Sequence, residues 1–325
     1  MSIVESVTNI VPAPADMPEV SIASSAFLVE LSMPGWLGRK QDKKATEEVN
    51  RLHGARPNVA TVKKGIMGEC AELDAIHKFT ARARVEHYAM TMPWSDMGHR
   101  LLTCPNYFGY NERMTELGQK HETLVNAFLD VYEWQTIQAK RHMGTLRNDA
   151  DYPSRHTLAG KFDFIVNYSS VPDAGDFRVD VTKDQMTDLR SRYRQHYNAQ
   201  IARAMGDVCS RAIDILTRLS SSLGYEDRVN KRTNKNGERQ KKTTKKKKIS
   251  EGVFEATIAM IDMLKTCNLT GDTQIQATVR MLEDHFRGAG RLALSIEDLR
   301  EDAQSRLKTQ EVLDAALDKL PTLDI

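Results

Sequence analysis

Two short spacings in this sequence place an acidic residue and a histidine on one face of a helix. They are Asp74-x-x-His77 and Asp96-x-x-His99, in which both side chains can face the same ligand. Di-iron helical bundles use Glu-x-x-His twice, together with two further glutamates. This chain contains no Glu-x-x-His. A helix-face histidine and a helix cap explain the two pairs more simply, so no metal site is predicted.

The sequence also lacks the common motifs of nucleotide and acyl-transfer chemistry. It has no G-x-x-x-x-G-K-[ST] phosphate loop, no G-x-G-x-x-G loop and no G-x-S-x-G nucleophile turn. Its four cysteines, Cys70, Cys104, Cys209 and Cys267, are far apart, which argues against paired-cysteine zinc or redox units. We therefore predict no catalytic residue and no cofactor, and favour a protein that is not an enzyme.

Two segments that combine tryptophan with basic residues are candidates for binding a partner. One is Trp36-Leu-Gly-Arg-Lys40, and the other runs from Pro93 to Leu102. The candidate partner-binding residues are Trp36, Arg39, Lys40, Trp94 and Arg100. In the alternative interpretation, each tryptophan anchors the core, while Asp96 caps a helix and pairs with Arg100. An enzyme with a site around Trp94–Arg100 is a third and weaker hypothesis.

Residues 225–248, which we call the basic segment, differ sharply in charge from the rest of the chain. They contain eleven lysines and arginines against three acids, a net charge of +8. The whole chain carries +2, so the remainder carries −6. Such a segment can neutralise phosphates of nucleic acid, and the candidate residues are Lys241, Lys242, Lys245, Lys246, Lys247 and Lys248. It lacks interleaved aromatics, so base stacking is not supported, and a solvated flexible loop is the alternative.

Length and composition limit the class of protein. The chain has 325 residues, of which 40% are hydrophobic and 28% are charged, values that exclude a wholly disordered protein. No stretch approaches 18 consecutive apolar residues, and residues 1–26 do not resemble a signal peptide. We therefore expect a cytoplasmic, reduced protein without membrane contact.

The pattern of apolar residues and turn signals predicts four regions. Residues 1–25 read as a flexible arm, 26–224 as a helical body with a β-hairpin near 162–181, 225–248 as a basic flexible loop, and 249–325 as a helical C-terminal region. Helix starts are predicted at Thr270 or Asp272 and at Ser295-x-x-Asp298.

A heptad pattern marks the longest predicted helix, which spans about 182–223. Its apolar positions alternate steps of four and three residues, and they are Ile201, Met205, Val208, Ala212, Ile215 and Leu219. A second long helix, about 110–147, is the predicted antiparallel partner, with self-association as the alternative. The predicted fold class is mainly α: an elongated helical bundle with a long coiled-coil-like helix pair and one small β-hairpin.

Several of these segments, taken in order, resemble a largely phage-encoded family of unknown function. The matching pieces are Trp36-x-Gly-Arg-Lys40 with Asp42-Lys-Lys-Ala45, the Phe164-to-Phe177 segment, the long helix, Phe254 through Asn268-Leu-Thr-Gly-Asp272, and Leu299-Arg-Glu-Asp302 with Arg306. Together they cover most of residues 27–310. The long lysine-rich insertion and the N-terminal arm depart from the family pattern.

The resemblance implies a genomic setting rather than an activity. Members of the family are often encoded near MoxR-type AAA+ ATPases and near von Willebrand factor A proteins similar to cobaltochelatase subunits. The function expected on this basis is a non-enzymatic helical adaptor or structural protein of phage type in the host cytoplasm, with a MoxR-type AAA+ ATPase as its candidate partner. A nucleic-acid-associated protein that uses residues 228–248 is the alternative.

Overall fold

A computed structural model of the chain describes residues 22–57, 59–96, 98–172, 183–228, 243–288 and 293–321, with backbone only at 183–187, 225–228 and 243–246. Helices account for 67% of it. The α-helices are α1 (Lys43–Leu52), α2 (Ala71–Met90), α3 (Tyr107–His142), α4 (Arg155–Ala159), α5 (Lys183–Leu223), α6 (Glu251–Cys267), α7 (Thr273–Glu283), α8 (Ile296–Glu301) and α9 (Ala303–Leu317). A π-helical turn at Asp284–Gly288 directly follows α7.

The described strands are short and lie far apart in sequence. They are β1 (Ala26–Ser32), β2 (Arg39–Gln41), β3 (Lys63–Gly65), β4 (Met92–Pro93), β5 (Arg100–Thr103), β6 (Ile165–Ser170), β7 (Tyr225–Arg228) and β8 (Thr243–Lys246). One four-stranded antiparallel sheet has the order β4-β5-β1-β6, and the pairs β2-β3 and β7-β8 are separate. The predicted class was therefore wrong, because the fold is mixed α/β rather than a mainly-α bundle with one hairpin.

The hairpin predicted near 162–181 overlaps one strand of the structure. That strand is β6, and its neighbour among the described strands is β1. The predicted second strand, at 177–181, lies outside the described residues. The side chains of β6 are mostly exposed, so the alternation in the sequence did not mark a buried face, and it does not show which distant strand supplies the pairing.

The chain divides into two compact units, and unit 2 contains Val29–Thr91 and Asn106–Ser169. Within it, α3 packs against α2 and α4. Its core includes Leu73 and Ile76 of α2 together with Phe128 and Tyr132 of α3. These residues recur at three- and four-residue steps, which puts them on one face of each helix.

Unit 1 contains Met1–Leu28, Met92–Pro105 and Ser170–Ile325. Within it, α5 packs against α6 and α9, α7 packs against α6 and α9, and α8 packs against α9. Its core includes Leu216 and Leu219 of α5, Ile261 of α6 and Leu313 of α9. The flexible arm predicted at 1–25 does not extend to its last residues, because Ile22 is buried in this core and donates its amide hydrogen to Tyr197 Oη at 3.3 Å.

The seam on α5 is buried within the chain, but not by the predicted partner. Five of its six apolar residues are buried, whereas Ile215 is half-buried and the adjacent Leu216 is fully buried. The long antiparallel helix pair was wrong, because α5 packs against α6 and α9 while α3 packs against α2. A heptad stripe specifies an apolar partner face, and shorter helices supplied by the same unit satisfy it equally well.

Helix starts agree with the sequence where the signal is local. Asp272 caps α7 by accepting hydrogen bonds from the amides of Gln274 and Ile275. Ser295 and Asp298 form the predicted reciprocal capping box of α8. The helix that begins after Ser295 is short, because Asp302 ends α8 and caps the next helix, α9.

Candidate nucleic-acid interface

The two ends of the basic segment form an antiparallel ribbon. Strand β7 pairs with β8, and the Cα register places Tyr225 opposite Lys246 and Arg228 opposite Thr243. The segment was predicted to be a flexible loop, and its first residues and those at 243–246 form paired strands. Gly224 connects α5 to β7, and residues 247–250 connect β8 to α6, so the ribbon lies between two core helices of unit 1 in the chain.

A buried arginine holds both ends of the ribbon. Arg306 of α9 is only 3% exposed. Its Nε donates to the carbonyl of Leu299 at 2.6 Å, its Nη2 to the carbonyl of Lys247 at 2.8 Å, and its Nη1 to the carbonyl of Leu223 at 3.3 Å. Leu223 ends α5 just before β7, and Lys247 directly follows β8. One guanidinium thus satisfies three carbonyls and joins the two ends to α9.

Further bonds extend this anchor beyond Arg306. The amide of Lys247 donates to the carbonyl of Gly224 at 3.1 Å, and its Nζ donates to the carbonyl of Ser221 at 3.1 Å. Arg300 Nη2 donates to the carbonyl of Ile249 at 3.2 Å, and Ile249 is fully buried. Cations at the carboxyl end of α5 also oppose the negative end of its helix dipole. The base of the ribbon is therefore held by bonds to α5 and α8 as well as by Arg306 of α9.

The six candidate lysines differ in their surroundings. Lys248 is exposed, whereas Lys247 is half-buried and bonded to α5. Lys245 and Lys246 belong to β8, and Lys241 and Lys242 lie outside the described residues. Lys247 therefore has a role inside the fold, which the charge pattern alone did not reveal.

This arrangement places a net charge of +8 on a segment whose ends are paired and anchored. A two-stranded ribbon fits the major groove of duplex DNA, and lysines act on phosphates as point charges. Tyr225 is the single aromatic residue of the segment. The chemistry therefore suits phosphate neutralisation without base recognition.

The Trp36–Lys40 segment, predicted to bind a partner, makes contacts inside unit 2. The Trp36 ring lies 6.2 Å from Phe128 and 6.0 Å from Tyr132, measured between centroids. Lys40 Nζ pairs with Asp151 at 2.8 Å, while Arg39 of β2 is exposed. These contacts explain Trp36 and Lys40 as parts of the fold, and binding of a partner through the segment stays a prediction.

Lys40 belongs to a cluster of charges that the sequence did not reveal. Lys64 Nζ lies 2.8 Å from Asp42 Oδ2 and 2.9 Å from Asp151 Oδ2, and its side chain is only 7% exposed. Burial raises the pKa of Asp151, but the hydrogen bonds from Lys40 and Lys64 outweigh it and hold the pKa below the usual value. Hydrogen bonds from Asp151 and Asp42 in turn raise the pKa of Lys64.

The second predicted segment is likewise engaged with its own unit. Trp94 is buried and meets the Tyr197 ring edge-on at 5.7 Å between centroids, and its carbonyl accepts a hydrogen bond from Gln200. Arg100 is half-buried in β5, and Asp96 pairs with Arg203 at 3.3 Å. These contacts favour the interpretation of Trp94 as a core anchor.

The described residues offer little for catalysis. Among them, no group of three His, Cys, Asp or Glu residues could hold a metal ion. Cys70, Cys209 and Cys267 are buried thiols, and burial raises the pKa of Cys209 to about 11, which makes this thiol a poor nucleophile. None of the described helices combines the length and the hydropathy that a membrane span requires.

Searches of family models, curated proteins and solved structures found no match to this chain. The contacts and charges described above are therefore the basis on which a function can be argued. Arg306, which carries the anchor of the ribbon, is a residue that composition and periodicity do not identify. Its signals in the sequence are its place among the segments that resemble the phage family and its position as an arginine among the apolar positions of a C-terminal helix.

Proposed function

We propose that this protein binds the phosphate backbone of nucleic acid through its basic segment and does not catalyse a reaction. The observation that carries the proposal is the anchor at Arg306, which joins both ends of a +8 segment to helix α9. These bonds fix the positions at which the charged segment leaves and rejoins the fold, so that its lysines are presented from a fixed base.

The expected binding is electrostatic and independent of base sequence. Each phosphate neutralised on duplex DNA releases counterions, so log Kobs falls with log salt concentration by about 0.9 for each contact. With one aromatic residue in the segment, base stacking contributes little. We therefore expect binding to duplexes of unrelated sequence with similar affinity and with a steep dependence on salt.

Fluorescence anisotropy with a labelled DNA duplex over a range of salt concentrations tests this proposal. The test variant carries glutamine at Lys241, Lys242, Lys245 and Lys246 and leaves the anchoring Lys247 in place. The matched control carries four glutamines at exposed lysines of unit 2, which are Lys43, Lys44, Lys63 and Lys78.

Both variants lose the same charge, but only the test variant should flatten the salt slope, by about 0.9 for each phosphate contact removed. Equal slopes and equal low-salt affinities for the wild type and the test variant would contradict the proposal. Equal weakening by both variants would show that overall charge, rather than the ribbon, attracts the DNA.

As a second function we propose a protein adaptor, supported by a groove between α2 and α3 on unit 2. The groove has a volume of about 420 Å³, and Glu86, Glu112 and Glu116 line it together with Arg113. Arg113 Nε pairs with Glu86 at 2.6 Å. Phe108, which is 80% exposed, is next in sequence to Gly109 of the groove wall. An acidic groove beside an exposed aromatic ring suits a basic protein segment.

The resemblance to the phage family makes a MoxR-type AAA+ ATPase the partner to test first. We expect a purified ATPase of this type from the same genome to bind the wild type, and the Phe108→Ser variant to bind more weakly. The control is Leu52→Ser, which changes an equally exposed residue of α1. Absence of binding by the wild type would rule out this partner. We further propose a cytoplasmic location, in the host if the gene belongs to a phage, and self-association, which light scattering of the purified protein can measure.

A further inference from the structure

A second cavity in unit 2, which we name the His121 cleft, lies apart from the acidic groove. It is bounded by the loop 33–37, by α2, by His121 of α3 and by Phe162. Its volume of about 200 Å³ equals that of about six or seven molecules of liquid water. A ligand with a single ring fits this volume, whereas a nucleotide does not.

One wall of the cleft is polar. His77, Thr80 and Arg84 line it from α2, and their spacing of three and then four residues places them on one face of that helix. His77 Nε2 lies 3.1 Å from the carbonyl of Trp36. Since a carbonyl only accepts, Nε2 carries the proton, and this bond fixes the imidazole against the loop.

His121 completes the polar wall from α3 and lacks a protein partner. It is 4% exposed and lies between the rings of Phe79 and Phe164, at 6.2 and 5.9 Å between centroids. Within the described part of the chain, no side chain or backbone group forms a hydrogen bond with it. The ring nitrogens of His121 are therefore free to form a hydrogen bond with a ligand in the cleft.

The charge of the cleft favours an anion. None of the side chains that line it is a carboxylate, and Arg84 forms no hydrogen bond or ion pair among the described residues. Burial lowers the pKa of His121, although Asp163 partly opposes that shift. A neutral His121 then donates a hydrogen bond, while Arg84 supplies the positive charge.

The rest of the lining is apolar. Met33 and Ile76 are buried beside the indole of Trp36 and the ring of Phe162. The contacts of Trp36 with Phe128 and Tyr132 fix its ring in place. A preformed cavity with a largely apolar lining and a few polar groups is the usual design of a small-molecule site.

We infer that the His121 cleft binds a small organic anion, in which a carboxylate or phosphate group meets His121, Thr80 and Arg84 and a single apolar ring lies against Trp36 and Phe162. This site is separate from the basic segment, and the inference does not depend on nucleic-acid binding.

Three probes separate the two parts of the recognition, with the histidine Hε1 signals followed by NMR on the full chain. Benzoate presents both the anion and the ring, inorganic phosphate presents the anion alone, and benzamide presents the ring without charge. We expect benzoate to shift the His121 signal in a saturable way and to bind at least tenfold more tightly than either of the other probes. Sodium chloride at matched ionic strength should leave that signal unchanged.

Two arginines of α2 give a matched pair of variants. Arg84→Gln should weaken benzoate binding about tenfold without unfolding the protein, because the side chain is exposed. Arg82→Gln is the control, since Arg82 pairs with Glu86 at 3.2 Å and does not line the cleft. It should leave benzoate binding unchanged. A His121 signal that none of the probes shifts would overturn the inference and leave a cleft that holds water alone. Equal effects of the two variants would overturn the role of Arg84 in anion binding.

Discussion

Replacement of Arg306 by methionine tests whether this one side chain holds the ribbon to helix α9. Methionine keeps an unbranched, flexible side chain that can fill the space, so the variant removes the guanidinium without leaving a large cavity. Three carbonyls lose their donor, at Leu299, Lys247 and Leu223. The variant therefore changes polar contacts far more than it changes packing.

The expected loss follows from those three carbonyls. A buried polar group left without a partner costs about 1–3 kcal/mol, and the 3.3 Å bond to Leu223 is the weakest of the three. The removed charge was itself costly to bury, which offsets part of the loss. We expect a net destabilisation of about 3 kcal/mol, which in a unit of this size lowers the melting temperature by about 6–12 °C.

Calorimetry measures the melting temperature, and hydrogen exchange locates the effect. The amide of Lys247, bonded to the carbonyl of Gly224, should exchange faster in Arg306→Met. The control is Arg300→Met, because Arg300 is 40% exposed at its side chain and forms one bond to this region, with Ile249. We expect less than about 1 kcal/mol from it. An Arg306→Met protein that melts within 2 °C of the wild type, with unchanged exchange at Lys247, would refute the anchor.

Three further predictions concern the two units. Gly38→Ala should destabilise unit 2 by more than about 1–2 kcal/mol, because φ is +65° and the added Cβ would lie 2.9 Å from a neighbouring side chain. Gly68→Ala is the control, since its φ is +60° but its Cβ would meet no atom within 4 Å. Its loss of stability should therefore reflect the backbone strain without the close contact. Leu216→Ala should cost about 2–5 kcal/mol, and Ile215→Ala clearly less. The pKa of Asp151 in the folded protein lies below 3.8. The contribution of this carboxylate to the free energy of unfolding is therefore complete above that pH and is lost as the pH falls through the folded-state pKa. Asp151→Asn should make the stability of unit 2 less dependent on pH below about 4.

Urea unfolding followed by circular dichroism measures all three, and each has an outcome that contradicts it. Equal costs for Gly38→Ala and Gly68→Ala would show that the close contact is relieved without cost. A larger loss from Ile215→Ala than from Leu216→Ala would restore the heptad positions as the buried stripe. An Asp151→Asn protein whose acid transition matches the wild type would show that its ion pairs do not govern acid stability.

Helix boundaries were predictable because their causes are local. Asp272 caps α7 through amides two and three residues ahead, and Ser295 and Asp298 cap α8 reciprocally. Such bonds depend on a few neighbouring residues, so the sequence displays both partners together. The buried stripe of α5 was readable for the same reason.

The sheet was not predictable because its pairings are distant. Strands β4 and β5 contain two and four residues, too few for a period of two to show. Their sheet also contains β1 and β6, and the sequence between these strands carries no sign of the order. Pairing is decided by the packing of whole units, and a propensity summed over a short window does not include it.

Charged residues show the same limit at the candidate sites. Lys64 and Lys248 are alike in sequence, since each stands beside another lysine. Yet Lys64 is buried between Asp42 and Asp151, and Lys248 is exposed. Asp151 lies 87 positions beyond Lys64 in the chain, so no local pattern indicates the pair. A lysine can bind phosphate only when the fold leaves its ammonium group without a carboxylate partner, and the number of lysines in a segment does not show this. The proposal for the ribbon therefore depends on the anchor at Arg306, which shows how the fold holds the segment, rather than on the number of lysines.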